Sequence, residues 1–154
     1  MSFNYGFGNK ERSKESIKYG VIDTLIVSLV ITILFEIIAR PLAKLFALSN
    51  TSSLELIDVC EKAIRIASLG YIFMRFSVAS QGVFQALRYS LKPLFTALLR
   101  LVIFVFPIAY LFTLSTNVMN IVWWTFPIAE LLTAVISMIL LKEVIKKRSN
   151  VMEN

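Results

Sequence analysis

The chain has 154 residues, 57% of them hydrophobic and twelve of them phenylalanine, with a formal net charge of +6. That apolar fraction exceeds the roughly 45 to 50% of ordinary soluble domains, and the length suits one compact bundle with no second domain, so the composition reads as an integral membrane protein. Histidine is absent, which excludes Ser-His-Asp and Cys-His nucleophilic sites and histidine-based zinc sites.

The basic residues sit at the ends of apolar stretches and form no basic domain with interleaved aromatics, so the charge suits lipid head groups and topology and not nucleic acid. Lys10, Arg12, Lys14 and Lys18 precede the first stretch, and Lys142, Lys146, Lys147 and Arg148 follow the last. Both termini are therefore expected in the cytoplasm, with residues 1–20 as an N-terminal loop and 142–154 as a tail on one domain spanning 1–154. The opening lacks a signal-peptide pattern, so the first stretch is expected to stay in the membrane. Cys60 is alone, which rules out an intrachain disulfide, and it reads as an inert small hydrophobe.

The first stretch runs from about Val21 to Ala39. Its Thr24, Ser28, Thr32, Glu36 and Arg40 recur every four residues, a spacing that makes a polar stripe along a helix. Leu25, Ile26, Leu29, Val30, Ile33, Leu34 and Ile37 cover the other side and suit lipid. Arg40-Pro41 predicts an end or bend, and a short amphipathic segment with Lys44 continues to Leu48. Residues 49–53 read as a loop, in which Ser52 and Glu55 fit a capping box for a helix starting near Ser53.

That second helix is polar through Arg65 and apolar from Ile66 to Leu87. Its apolar residues contribute roughly 0.3 to 0.6 kcal/mol each to insertion, whereas Arg75 costs roughly 2.5 to 3.5. Alone it inserts marginally and needs neighbouring helices. The basic connection from Arg88 to Pro93 leads to a third helix, Leu94 to about Leu114, with proline near its first turn. An uncharged run of 29 residues separates Arg100 from Glu130, too long for one span of about 20. Residues Thr113 to Asn117 supply the turn, and a fourth helix runs from about Val118 to Leu141. The expected fold is an all-α membrane bundle of four transmembrane helices.

Three of the stretches carry an ionisable residue near their centres: Arg75, Arg100 and Glu130. A charge in the hydrocarbon interior survives mainly when it faces protein, water or a partner charge. Arg100 and Glu130 lie on successive antiparallel helices and can pair, either as a structural ion pair or as part of a transport pathway. Arg75 is expected to meet an acid on a helix outside this chain, and Glu36 to reach water near the interface. Pro107 and Pro127 are candidate bends.

Specific residues resemble the multidrug and toxic compound extrusion transporters. Phe3-Asn4-Tyr5-Gly6, with Asn9 and Arg12, is similar to the cytoplasmic loop before that family's ninth helix. Ser68-Leu69-Gly70-Tyr71, Phe84-Gln85-Ala86-Leu87, Leu98-Leu99-Arg100, Pro107-Ile108-Ala109-Tyr110 and Phe126-Pro127-Ile128-Ala129-Glu130 are similar, in order and spacing, to its tenth to twelfth helices. The resemblance implies the end of the second six-helix lobe of a twelve-helix antiporter. In that family an organic cation or drug-like substrate sits in the cleft between lobes, and a sodium ion or proton drives exchange.

The resemblance thus implies a membrane transporter and no enzyme, without an organic cofactor. It implies a truncated, split or internally initiated product, inactive until the remaining transporter helices are supplied. Glu130, Arg100, Arg75, Tyr71 and Ser77 are the lobe-lining candidates, Ser77 falling near the place where some relatives carry a cation-binding acid. A complete four-helix exporter acting as a homodimer of two copies, with Glu130 as its proton-coupled acid, is the second expectation. A non-transporting membrane assembly or regulatory partner is the third. The lipid bilayer of the plasma or inner membrane is the expected setting.

Overall fold

The computed structural model describes residues 10–47, 54–89 and 91–151, among which no strand occurs. Helix α1 is Lys10–Ala47 and α2 is Leu54–Ala86. A third rod combines α3, Leu91–Leu98, a π-helix over Leu99–Val105 and α4, Phe106–Thr113. After the turn at 114–117, a fourth rod runs through α5, Val118–Ile121, a 3₁₀ turn, Val122–Trp124, and α6, Thr125–Val151. The Phe3–Gly6 motif, the 49–53 loop and the Ser52 half of the capping box lie outside the described residues.

The four rods follow the four apolar stretches, yet the helices run past them. Residues 10–20, expected as loop, are helical. Apolar length measures burial, while helix length follows backbone propensity and packing, and here Glu15 stands three residues before Lys18, a helix-stabilising spacing, and Ile17 packs on the core. The tail is likewise helical to Val151. At the other end of α1, Pro41 does not stop the helix. Ala39 and Ala43 are fully buried on either side of it, so packing holds both flanks while the proline removes one backbone donor.

The π-helix has no counterpart in the sequence expectations. Pro107 lies four residues after Ile103 and takes away the N–H that the Ile103 carbonyl would use in α register. The wider register closes at Val105, just before that proline. Pro127 stands at the third residue of α6, within a first turn, where no hydrogen bond is lost.

Helix α2 is the middle of the bundle: α1 packs along one side, α6 along the other, and the π-helix packs on α6. A Cβ on Gly70 would sit 3.4 Å from the Pro127 nitrogen and 3.6 Å from Glu130 Cγ. Fourteen residues further along both helices, Phe84 and Val144 share a buried cluster. The two helices therefore run parallel, with equal steps along each.

Burial is inverted relative to a soluble domain. Ser28, Thr32, Ala39 and Ala43 of α1, Ser68 and Ser77 of α2, and Ala129, Thr133, Ala134 and Ser137 of α6 are buried, whereas Ile37, Phe106, Tyr110 and Ile139 are each more than 60% exposed. Small side chains let helix backbones approach closely, the packing mode of helices whose surroundings are as apolar as their own surfaces. Two helical stretches among the described residues, Glu15–Phe46 and Leu91–Thr113, are long and apolar enough to cross a membrane.

Candidate functional site

Arg100 enters from the π-helix and Glu130 from α6. Their side chains meet at 3.5 Å, Arg100 Nη1 to Glu130 Oε1, with 24% and 14% of each exposed. This pairing agrees with the sequence expectation. One contact leaves the carboxylate incompletely satisfied, since Glu130 Oε2 is buried without a hydrogen-bond partner among the described residues. Gly70 matters here because a Cβ on it would already touch the Pro127 backbone and the Glu130 side chain at van der Waals distance, so side-chain atoms beyond Cβ have little room.

Glu130 lines one wall of a cavity of about 270 Å³, with Gly70, Tyr71, Met74 and Phe126. A second space, of about 240 Å³, shares Ala67, Tyr71 and Phe126 with it and extends to Phe35 and Trp123. Tyr71 is held at this junction by an edge contact with Phe35, ring centroids 5.5 Å apart at 66°. The result is an aromatic groove with one carboxylate at its end, suited to an apolar guest bearing a hydrogen-bond donor or positive charge.

Ser77 and Arg75, the other sequence candidates, stand elsewhere. Ser77 is fully buried with its hydroxyl unpartnered among the described residues, and so is Ser137. Each lies seven residues beyond the Gly70 and Glu130 contact, so the parallel register puts them at one level. Arg75 is half-buried on α2 and makes no ion pair among the described residues.

A second polar cluster was not foreseen. Arg65 of α2 donates to Glu36 of α1 at 2.8 Å and, through Nε and Nη2, to Glu61 Oε1 at 3.1 and 3.0 Å. Arg40 approaches the other Glu61 oxygen at 3.7 Å, and the Ser68 hydroxyl donates to Glu36 at 3.1 Å. The Glu61 and then the Glu36 hydrogen bonds hold the Arg65 guanidinium above its ordinary high pKa range. Glu36 thus has protein partners, and the polar stripe of α1 ends in this clamp: Thr32 also donates to the Ser68 carbonyl at 3.3 Å. The stripe itself was the available signal, but its partner required the α1–α2 register. No group of three or more His, Cys, Asp and Glu forms a metal-ligand cluster among the described residues.

Comparison with known proteins places this arrangement. The MatE family model matches residues 1–111. A solved structure, a multidrug resistance MATE family transporter of the MOP superfamily in its outward-facing conformation, superposes at a TM-score of 0.86 with 19% identity, covering 97% of this chain. The chain spans 33% of that transporter's length. No curated protein matches.

Proposed function

This chain belongs to the MatE family, a family of transporters and not of enzymes, and on that premise we propose that it supplies four transmembrane helices to a cation-coupled multidrug efflux antiporter. The inverted burial carries this reading: small and polar side chains fill the helix contacts while large apolar ones face outward, the distribution a bilayer demands. The spans are α1, the Ile66–Leu87 half of α2, the third rod and the fourth, with both termini on the cytoplasmic side of the cell membrane.

Alternating access requires two bundles rocking about one site. Four helices give one part of one bundle, so exchange of an organic cation or drug against a sodium ion or proton needs the remaining helices. Glu130, Arg100 and Tyr71 face the interior of the resulting lobe, and Arg75, half-buried on α2, meets groups from those helices.

The test is ethidium efflux from cells under an imposed sodium or proton gradient. Efflux is expected when this chain is co-expressed with a MatE-family transporter lacking its last four helices, and not with either part alone. Gradient-driven efflux by the purified 154-residue protein would overturn the proposal in favour of a self-sufficient exporter.

A further inference from the structure

The end of the bundle where α2 turns into α3 sets charge beside an open cleft. Residues 10–18, 88–92 and 142–146 hold four, two and two lysines and arginines, against three glutamates. One buried cluster, Val83, Phe84, Leu87 and Val144, draws these segments to a common level, with Ile17, Tyr89 and Leu141 packed on it. Lys18, Arg88 and Lys142 adjoin those residues in the chain. Lys92 Nζ stands 3.8 Å from Glu143 and 5.6 Å above the Tyr89 ring. Arg88 and Lys142 are exposed and make no ion pair among the described residues.

Arg88 is the unusual member, because its φ of 62° is the one positive value at a non-glycine among the described residues. The Tyr89 N–H donates to the Phe84 carbonyl at 2.8 Å and the Arg88 N–H to that of Gln85 at 3.0 Å. This is a Schellman termination of α2 with arginine at the left-handed position that glycine adopts without strain. A cationic side chain thus stands where the backbone conformation favours glycine.

Next to it, α1 and α2 part around an apolar cleft of about 190 Å³ lined by Ile17, Gly20, Thr24, Gly82 and Ala86. A Cβ on Gly20 or Gly82 would meet nothing within 4 Å. Ile17 and Ala86 form the end of the cleft nearest Lys18 and Arg88.

We propose that this end of the bundle binds an anionic phospholipid, its phosphate held by Arg88 with Lys18 and Lys92 and one acyl chain lying between Gly20 and Gly82. A guanidinium matches phosphate oxygens two at a time, and basic pockets between membrane helices hold anionic head groups. The cleft accounts for a lipid in place of a free phosphate, since a free phosphate leaves the apolar part unfilled. The site needs the chain to lie in a bilayer, and does not depend on what, if anything, it transports.

Native mass spectrometry of the 154-residue protein, released from micelles containing phosphatidylglycerol, phosphatidylcholine or inorganic phosphate alone, tests this. Each cation near the head group is worth about fivefold in affinity, so phosphatidylglycerol is expected to be retained more than about tenfold over phosphatidylcholine. Arg88→Gly relieves the left-handed strain and folds at least as stably, yet loses about fivefold in phosphatidylglycerol affinity. Gly82→Leu places its Cβ in open space and its side chain in the cleft, and weakens both lipids. Equal retention of the two lipids would overturn the site, as would inorganic phosphate binding as tightly as the lipid. Unchanged lipid binding in either variant would also overturn it, and so would a co-purifying polypeptide displaced by Gly82→Leu, which would assign the cleft to a helix.

Discussion

Removing Arg100 alone should harm this protein more than removing Arg100 and Glu130 together. At the observed 3.5 Å separation, Coulomb's law with an effective dielectric of 20 gives about 5 kcal/mol of gross attraction. Most of that offsets the cost of withdrawing both charges from water, and Arg100 keeps a quarter of its surface, so the net coupling should be about 2 to 3 kcal/mol. Arg100→Leu leaves a buried carboxylate that already has one unpartnered oxygen, and a loss of about 3 kcal/mol is expected. The double variant Arg100→Leu/Glu130→Leu removes both charges and should lie within about 1 kcal/mol of the parent. Steric-trapping unfolding of the four proteins in one lipid mixture measures the cycle. Additive losses, with coupling below about 0.5 kcal/mol, would refute the claim that these two residues satisfy each other.

Two glycines of α2 should respond in opposite directions in the same assay. Gly82→Ala adds a Cβ in open space and should stabilise by about 0.5 to 1 kcal/mol, whereas Gly70→Leu pushes against the Pro127 backbone and the Glu130 side chain and should cost about 1 to 3 kcal/mol. Ser77→Ala and Ser137→Ala delete buried hydroxyls without partners among the described residues, so each should be neutral or stabilising. A loss above about 1 kcal/mol, measured by the same unfolding, would show that the hydroxyl has a hydrogen-bond partner.

The membrane character and four-rod order were legible because apolar stretches of span length are a one-dimensional signal. So was the Arg100–Glu130 encounter, since two lone opposite charges on successive rods have few other ways to be satisfied. The α1 stripe was legible as a face, but its partner was not: Glu36 and Arg65 are 29 positions apart in the chain, and only the antiparallel register of α1 on α2 brings them together. The π-helix was hidden because Pro107 announces a disturbed backbone without saying which register resolves it. Helix ends were misplaced wherever the helix outlasts its apolar stretch, at residues 10–20 and again past Leu141. Tyr71 and Ser77 both looked like lobe-lining residues, yet one borders the groove and the other lies in the α2–α6 contact, a difference of about 100° per residue around one helix.

The claim that all four rods cross the membrane is tested most directly by which side each connection occupies. In a Cys60→Ser background, Leu54→Cys, Thr116→Cys, Tyr19→Cys and Arg88→Cys each place a thiol at an exposed position, and a membrane-impermeant maleimide reports its side. Positions 54 and 116 should label in intact spheroplasts, and positions 19 and 88 only after permeabilisation. Labelling of positions 54 and 88 from the same side would mean that α2 does not cross and would contradict the four-span bundle.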